Sequence, residues 1–98
     1  MIRHTVMFRF KESATPEEIA SFSNGLSEMV PKIDVLVNYQ HSSDLGVNEG
    51  NFDYVFTADF AAVDGYTTYR DHPELKDVIA RTSHVIEGRA AVQFEWQA

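Results

Sequence analysis

Residues 2–11 read Ile-Arg-His-Thr-Val-Met-Phe-Arg-Phe-Lys. Ile2, His4, Val6, Phe8 and Phe10 fall on one parity, and Arg3, Thr5, Met7, Arg9 and Lys11 on the other. Period two over ten residues rich in β-branched and aromatic types predicts a strand with one strongly apolar face. The second face is mixed rather than fully polar. A helix start follows at once. Thr15 suits the N-cap, Pro16 the first helical position and Glu18 the third, which completes a capping box. Ile19, Phe22, Leu26 and Met29 then form one stripe, and Pro31 stops the helix near Val30. Gly25 inside this helix marks a close approach to a neighbour.

The rest of the chain continues the pattern. Val35 to Ser43 reads as a weaker strand, Asp44 to Asn51 as turns, and Tyr54 to Phe60 as a third strand. Ala61 to Asp71 reads as a helix with Val63, Tyr66 and Tyr69 on its buried side. Pro73 reopens a helix with Leu75, Val78, Ile79 and Thr82 inward. Gly88 ends the helical region and Arg89 to Trp96 forms the last strand. The order βαββαβ predicts an α+β, ferredoxin-like fold over residues 1–98 as a single domain: a four-stranded antiparallel sheet with helices on one face. The other sheet face, with Thr5, Met7, Val55, Thr57 and Ala91 among charges, calls for cover. A second copy of the chain is the simplest cover, which predicts a homodimer through the sheet face.

Composition narrows the function. The 98 residues carry 8 Lys plus Arg against 15 Asp plus Glu, a net charge of −7. That balance argues against nucleic acid and against anionic membrane surfaces as partners. With no cysteine, thiol nucleophiles and cysteine-bound metals are excluded. The charged N-terminus lacks a signal-peptide core, and no apolar run reaches transmembrane length, so the expected location is cytoplasmic. The four histidines show no metal-ligand spacing. The acidic loop from Asp44 to Asp53 lacks the EF-hand pattern and reads as solvated. No metal and no cofactor is expected.

Several local features are similar to one family: the opening 2–11 strand, the Thr-Pro-Glu-Glu helix start, Asp53-Tyr54, Tyr69-Arg70-Asp71-His72-Pro73, and the closing Gly-Arg-Ala-Ala-Val-Gln-Phe-Glu. Together they resemble the stress-responsive dimeric α/β-barrel (Dabb) domain family across Ile2 to Trp96. The resemblance implies a protomer that pairs into a dimeric α/β barrel. That family includes plant stress proteins, a plant polyketide cyclase working by aldol condensation, and many bacterial members without an assigned role.

The candidate site is the helix-facing side of the sheet. His4 lies mid-strand on the apolar face, either as a paired core histidine or as a proton carrier. The resemblance supports the second role, because the cyclase has a pocket histidine there. Tyr69 matches a tyrosine that contacts the polyketide, so His4 and Tyr69 are the catalytic candidates. Tyr54, Tyr66, His72, Leu75, Phe8, Phe22 and Trp96, with Phe56, are expected to form the ligand pocket or simply the core. His72 also has a plain reading as a cap before Pro73. Leu75 stands where the cyclase carries its proposed general base, and leucine cannot abstract a proton. Tyr54 replaces another of its pocket histidines. The expectation is a dimeric protein binding a small apolar or aromatic ligand. The alternatives are a cofactor-independent cyclase-like enzyme using His4, and a cofactor-free monooxygenase of the related barrel group. On the dimer-facing side, Arg3, Arg9, Lys11 and Arg89 are expected near Asp53, Asp59 and Glu95.

Overall fold

The strand β1 (Ile2–Phe10) runs down the middle of the sheet because both of its edges are paired. In this computed structural model, which describes residues 1–97, β1 is followed by α1 (Pro16–Met29), β2 (Asn38–Ser43) and β3 (Tyr54–Phe60). Then come α2 (Val63–Arg70), α3 (Pro73–Thr82) and β4 (Ile86–Glu95). The antiparallel order is β2-β3-β1-β4, the ferredoxin-like arrangement, with the helical layer packed against one face. On that face Val6, Ala58 and Phe60 are fully buried against Phe22, Leu26 and Met29 of α1 and Val78 of α3.

Local chemistry accounts for the helices. The Thr15 hydroxyl accepts the Glu18 N–H at 3.1 Å, and the Glu18 carboxylate accepts the Thr15 N–H at 3.0 Å. This reciprocal pair satisfies two donors that α1 would otherwise leave open. A Cβ at Gly25 would stand 3.3 Å from Cγ1 of Val78, so the glycine lets α1 and α3 approach closely.

Three boundaries or faces differ from the sequence expectation. β2 starts at Asn38 rather than Val35, because the Leu36 N–H turns back onto the Ile33 carbonyl. Val63 is 61% exposed rather than inward. In α2 the side facing the sheet is set by Gly65, where a Cβ would meet that of Phe60 at 3.3 Å. Tyr69 lies one turn on from Gly65. Two residues are about 200° of helix, so Val63 points away from that side. Ile79 is also exposed, one position round from buried Val78.

The largest correction concerns β4. It begins at Ile86, and Gly88 lies inside it at a register irregularity opposite Arg9 and Phe10. His4 pairs with Gln93 and Phe8 with Arg89, so Arg89 and Gln93 share the helix-facing side. Val92 opposite Thr5 and Phe94 opposite Arg3 take the open face. The more apolar parity of β4 therefore faces away from the helices, and Val92 and Phe94 are 56% and 46% exposed there beside Met7. Of the expected ion pairs on this face, Arg3–Asp59 forms, bidentate at 2.8 and 3.1 Å. The Arg3 guanidinium also lies over the Trp96 ring at 4.4 Å. Arg9 instead donates to the carbonyls of Gly50 and Asn51, and Asp53 accepts the Phe10 N–H. Glu95, opposite Ile2, falls on the helix side with Arg89. No helix among the described residues is long and apolar enough to cross a membrane.

Replacing the cap is the direct test of how α1 is anchored. Thr15→Ala should lower unfolding stability by about 1 kcal/mol in urea titration with an unchanged slope. No change in midpoint would mean that tertiary packing alone sets the start of α1.

Candidate functional site

Between the helix-facing side of the sheet and the helices lies a cavity of about 270 Å³. β1 contributes His4 and Phe8, β3 contributes Phe56, and α1 contributes Phe22 and Leu26. Tyr66, Tyr69 and Arg70 come from α2, and Leu75, Val78, Ile79 and Thr82 from α3. Ser83, Ile86 and Arg89 complete the lining. The walls are mostly apolar, with a few polar groups from the sheet and the helices, which is the usual composition of a small-molecule site.

His4 is the polar centre of this cavity. It is 4% exposed and ringed by aromatic groups, with centroids at 4.9 Å to Tyr66, 5.4 Å to Phe56 and 6.2 Å to Tyr69. Its Nδ1 lies 2.8 Å from the Gln93 side-chain amide. With that amide donating, the ring carries its proton on Nε2. Burial first, and the nearby Arg89 cation second, push the imidazole pKa down to about 4. The ring is therefore neutral near pH 7.

Tyr69 lends the cavity its ring rather than its hydroxyl. The hydroxyl is buried beside that of Tyr39 without a well-formed hydrogen bond between them. Burial pushes the Tyr69 phenol up to about 12 and the Tyr39 phenol higher still, so both stay protonated. Tyr66, Leu75, Phe8 and Phe22 line the cavity with it.

Three of the residues read from the sequence lie elsewhere. The Tyr54 hydroxyl sits 2.6 Å from Nδ1 of His41 and donates to the Ser23 hydroxyl at 2.9 Å. His41 Nε2 in turn meets the Ser27 hydroxyl at 2.8 Å. These four residues tie α1 to β2 and β3 outside the cavity. His72 caps α3, its Nδ1 accepting the Glu74 N–H at 3.1 Å. Trp96 lies under Arg3 on the open face. Conversely, Arg89, expected on the open face, lines the cavity, and Gln93 reaches it through its hydrogen bond to His4. Their common parity in β4 was the available signal, and only the pairing with β1 decides which face that parity takes. Among the described residues no three His, Asp or Glu side chains converge as a metal site.

Residues 2–96 match the family model described as the stress responsive A/B barrel domain. A dimeric ferredoxin-like protein of unknown function from Thermobifida fusca is 35% identical, at a TM-score of 0.90 over 97% of this chain and 90% of that one. A Dabb family protein with a ferredoxin-like fold from Mesorhizobium loti is 21% identical, at 0.82 over 99% and 97%. Hydroxynitrile lyase from Passiflora edulis is 14% identical, at 0.83 over 95% and 90%. The last two likenesses show the fold alone. No curated protein matches the chain.

The neutral His4 has a thermodynamic consequence. Between pH 6.5 and about 4 the unfolded chain takes up a proton that the folded chain refuses. Stability should therefore fall as pH drops through this window, by up to about 3 kcal/mol, and His4→Leu should flatten that part of the profile. Below it, protonation of Asp59, whose carboxyl the Arg3 hydrogen bonds hold down, adds a further loss. Urea midpoints measured from pH 7.5 to 4 check this. A wild-type profile no steeper than that of His4→Leu would contradict the buried neutral ring.

Proposed function

Because this chain belongs to the stress responsive A/B barrel family and encloses a cavity beside a neutral His4, we propose that it is a small-molecule-binding protein. It holds a small apolar or aromatic ligand between the helices and the sheet, and it works as a homodimer paired through the open sheet faces. The observation that carries the reading is the cavity itself. At about 270 Å³ it lies close to the lower end of the ~300–1,000 Å³ range of ligand pockets. Cores of this size close-pack unless something keeps them open. For the dimer, the support is the exposure of Met7, Val92 and Phe94 on one face, together with the dimeric state of the Thermobifida fusca relative. Pairing two such faces removes apolar surface from water on both copies.

A second reading, proton transfer at His4 without a cofactor, draws on the position of the imidazole in the cavity wall. The Passiflora edulis neighbour shows that an enzyme is built on this fold. Against it stands basicity. An imidazole with a pKa near 4 is a weak proton acceptor at neutral pH. The Tyr69 hydroxyl is withdrawn from the cavity, and Leu75 offers no base. Binding accounts for the site with fewer demands.

Native mass spectrometry of the purified protein should show a dimer carrying a non-covalent organic adduct. The cavity-filling variant Leu75→Trp should shed it while keeping the far-ultraviolet circular dichroism of the wild type. An adduct-free wild type that also takes up no apolar probe would overturn the binding reading. For the interface, Val92→Glu with Phe94→Glu should give a monomer by light scattering at micromolar concentration. A double variant that remains dimeric would place the interface elsewhere.

A further inference from the structure

Five arginines lie in the chain, and four of them are satisfied internally. Arg3 forks onto Asp59, Arg70 onto Asp71, and Arg81 meets Asp77 at 3.0 Å. Arg9 donates to two loop carbonyls and lies over Phe52 at 4.6 Å. Arg89 makes no hydrogen bond or ion pair among the described residues, although the chain carries 15 carboxylate side chains. It is also the arginine placed on the helix-facing side of β4, opposite Phe8 and on the same face as His4 and Gln93. It lines the cavity while remaining exposed to solvent, so it stands at the cavity mouth.

We infer that Arg89 is the specificity-determining residue of the cavity, selecting ligands that join an apolar body to one anionic oxygen group, such as a carboxylate, sulfonate or phenolate. This rests on the binding reading above and adds the chemical class. The reasoning is one of complementarity. A guanidinium held against an apolar wall with no counter-charge offers its planar donors to an oxyanion. The apolar lining beneath it takes the body of the same molecule. His4 supplies the second contact. With Gln93 donating to Nδ1, Nε2–H is free to donate to an oxygen of the bound group. Neutral ligands would gain the apolar burial and leave Arg89 unused.

Two naphthalene probes separate the inference from its foundation. 8-Anilinonaphthalene-1-sulfonate carries the anion, and N-phenyl-1-naphthylamine is the same skeleton without it. Both are followed by fluorescence titration, with occupancy of the cavity located by shifts of the His4 ring protons. Arg89→Met should weaken the sulfonate by about tenfold and the neutral amine by less than twofold. Arg89→Lys should keep most of the sulfonate affinity, which a merely structural loss at Arg89→Met would not allow. Added salt should weaken the sulfonate in the wild type and leave Arg89→Met nearly insensitive. If Arg89→Met weakens both probes alike or neither, the inference is overturned and ligand binding stands. It is equally overturned if the sulfonate binds without moving the His4 resonances. If neither probe enters the wild-type cavity, the binding reading fails and the inference with it.

Discussion

A helical layer that packs against only one face of a four-stranded sheet forces β1 to serve two environments at once. Its even positions meet the helices and its odd positions meet whatever lies on the other side. The two faces of the sheet differ accordingly. The covered face holds the core and the cavity. The open face holds Met7, Val92 and Phe94, and also Asp59, which is 3% exposed although no helix covers it. A carboxylate taken that far out of water needs a charged partner. Arg3 supplies one through two hydrogen bonds, and its guanidinium stacks on the Trp96 ring. The open face thus combines exposed apolar side chains with one buried carboxylate whose charge Arg3 neutralises locally.

The covered face shows the opposite economy. α1 and α3 meet closely where Gly25 faces Val78, and their mutual spacing is set there. α2 is only eight residues long and approaches β3 closely where Gly65 meets Phe60. The space left beside α3 is walled by the rings of Phe56, Tyr66 and Tyr69 around His4. Rigid rings in tilted and edge-on contact fill volume in fixed shapes, and Leu75 and Ile79 are too small to close what remains. The polar ties that hold α1 down, Ser23 and Ser27 to Tyr54 and His41, lie outside this cavity. The cavity wall therefore keeps His4 as its one histidine.

Elements with a local cause were legible in the sequence. The period of β1, the capping box at Thr15 and the cap at His72 each depend on residues within a few positions, and the structure has them where the sequence puts them. The βαββαβ order followed from those elements and the turn-rich segment from Asp44 to Asn51. What was hidden was a matter of choice between faces. Alternation in β4 shows that Arg89 and Gln93 go together and that Val92, Phe94 and Trp96 go together. It does not show which set meets the helices, because the hydrophobic rule assumes only one face needs burial. In a sheet with two demanding faces that assumption fails, and it exchanged Trp96 for Arg89 in the site. Tyr54 takes the second of its two expected places, the core rather than the cavity. Its ring is core, but its hydroxyl is bound to Ser23 and His41, and a long-range hydrogen bond leaves no trace in local spacing.

The same residues change what the acidic composition means. Much of the negative charge has local structural work: Glu18 closes the α1 cap, Asp44 accepts the Gly46 N–H in the long loop, and Asp53 accepts from Phe10. Asp59, Asp71 and Asp77 each neutralise one arginine. Screening in water confines the remainder to its own neighbourhood, within about 8–10 Å at physiological salt. The charged residues that line the cavity are both cationic: Arg89, which has no ion-pair partner among the described residues, and Arg70, paired to Asp71. A chain that is acidic as a whole therefore presents cationic side chains at the apolar cavity lined by His4. The same placement of Arg89 bears on His4, whose pKa is lowered first by burial and second by that nearby cation.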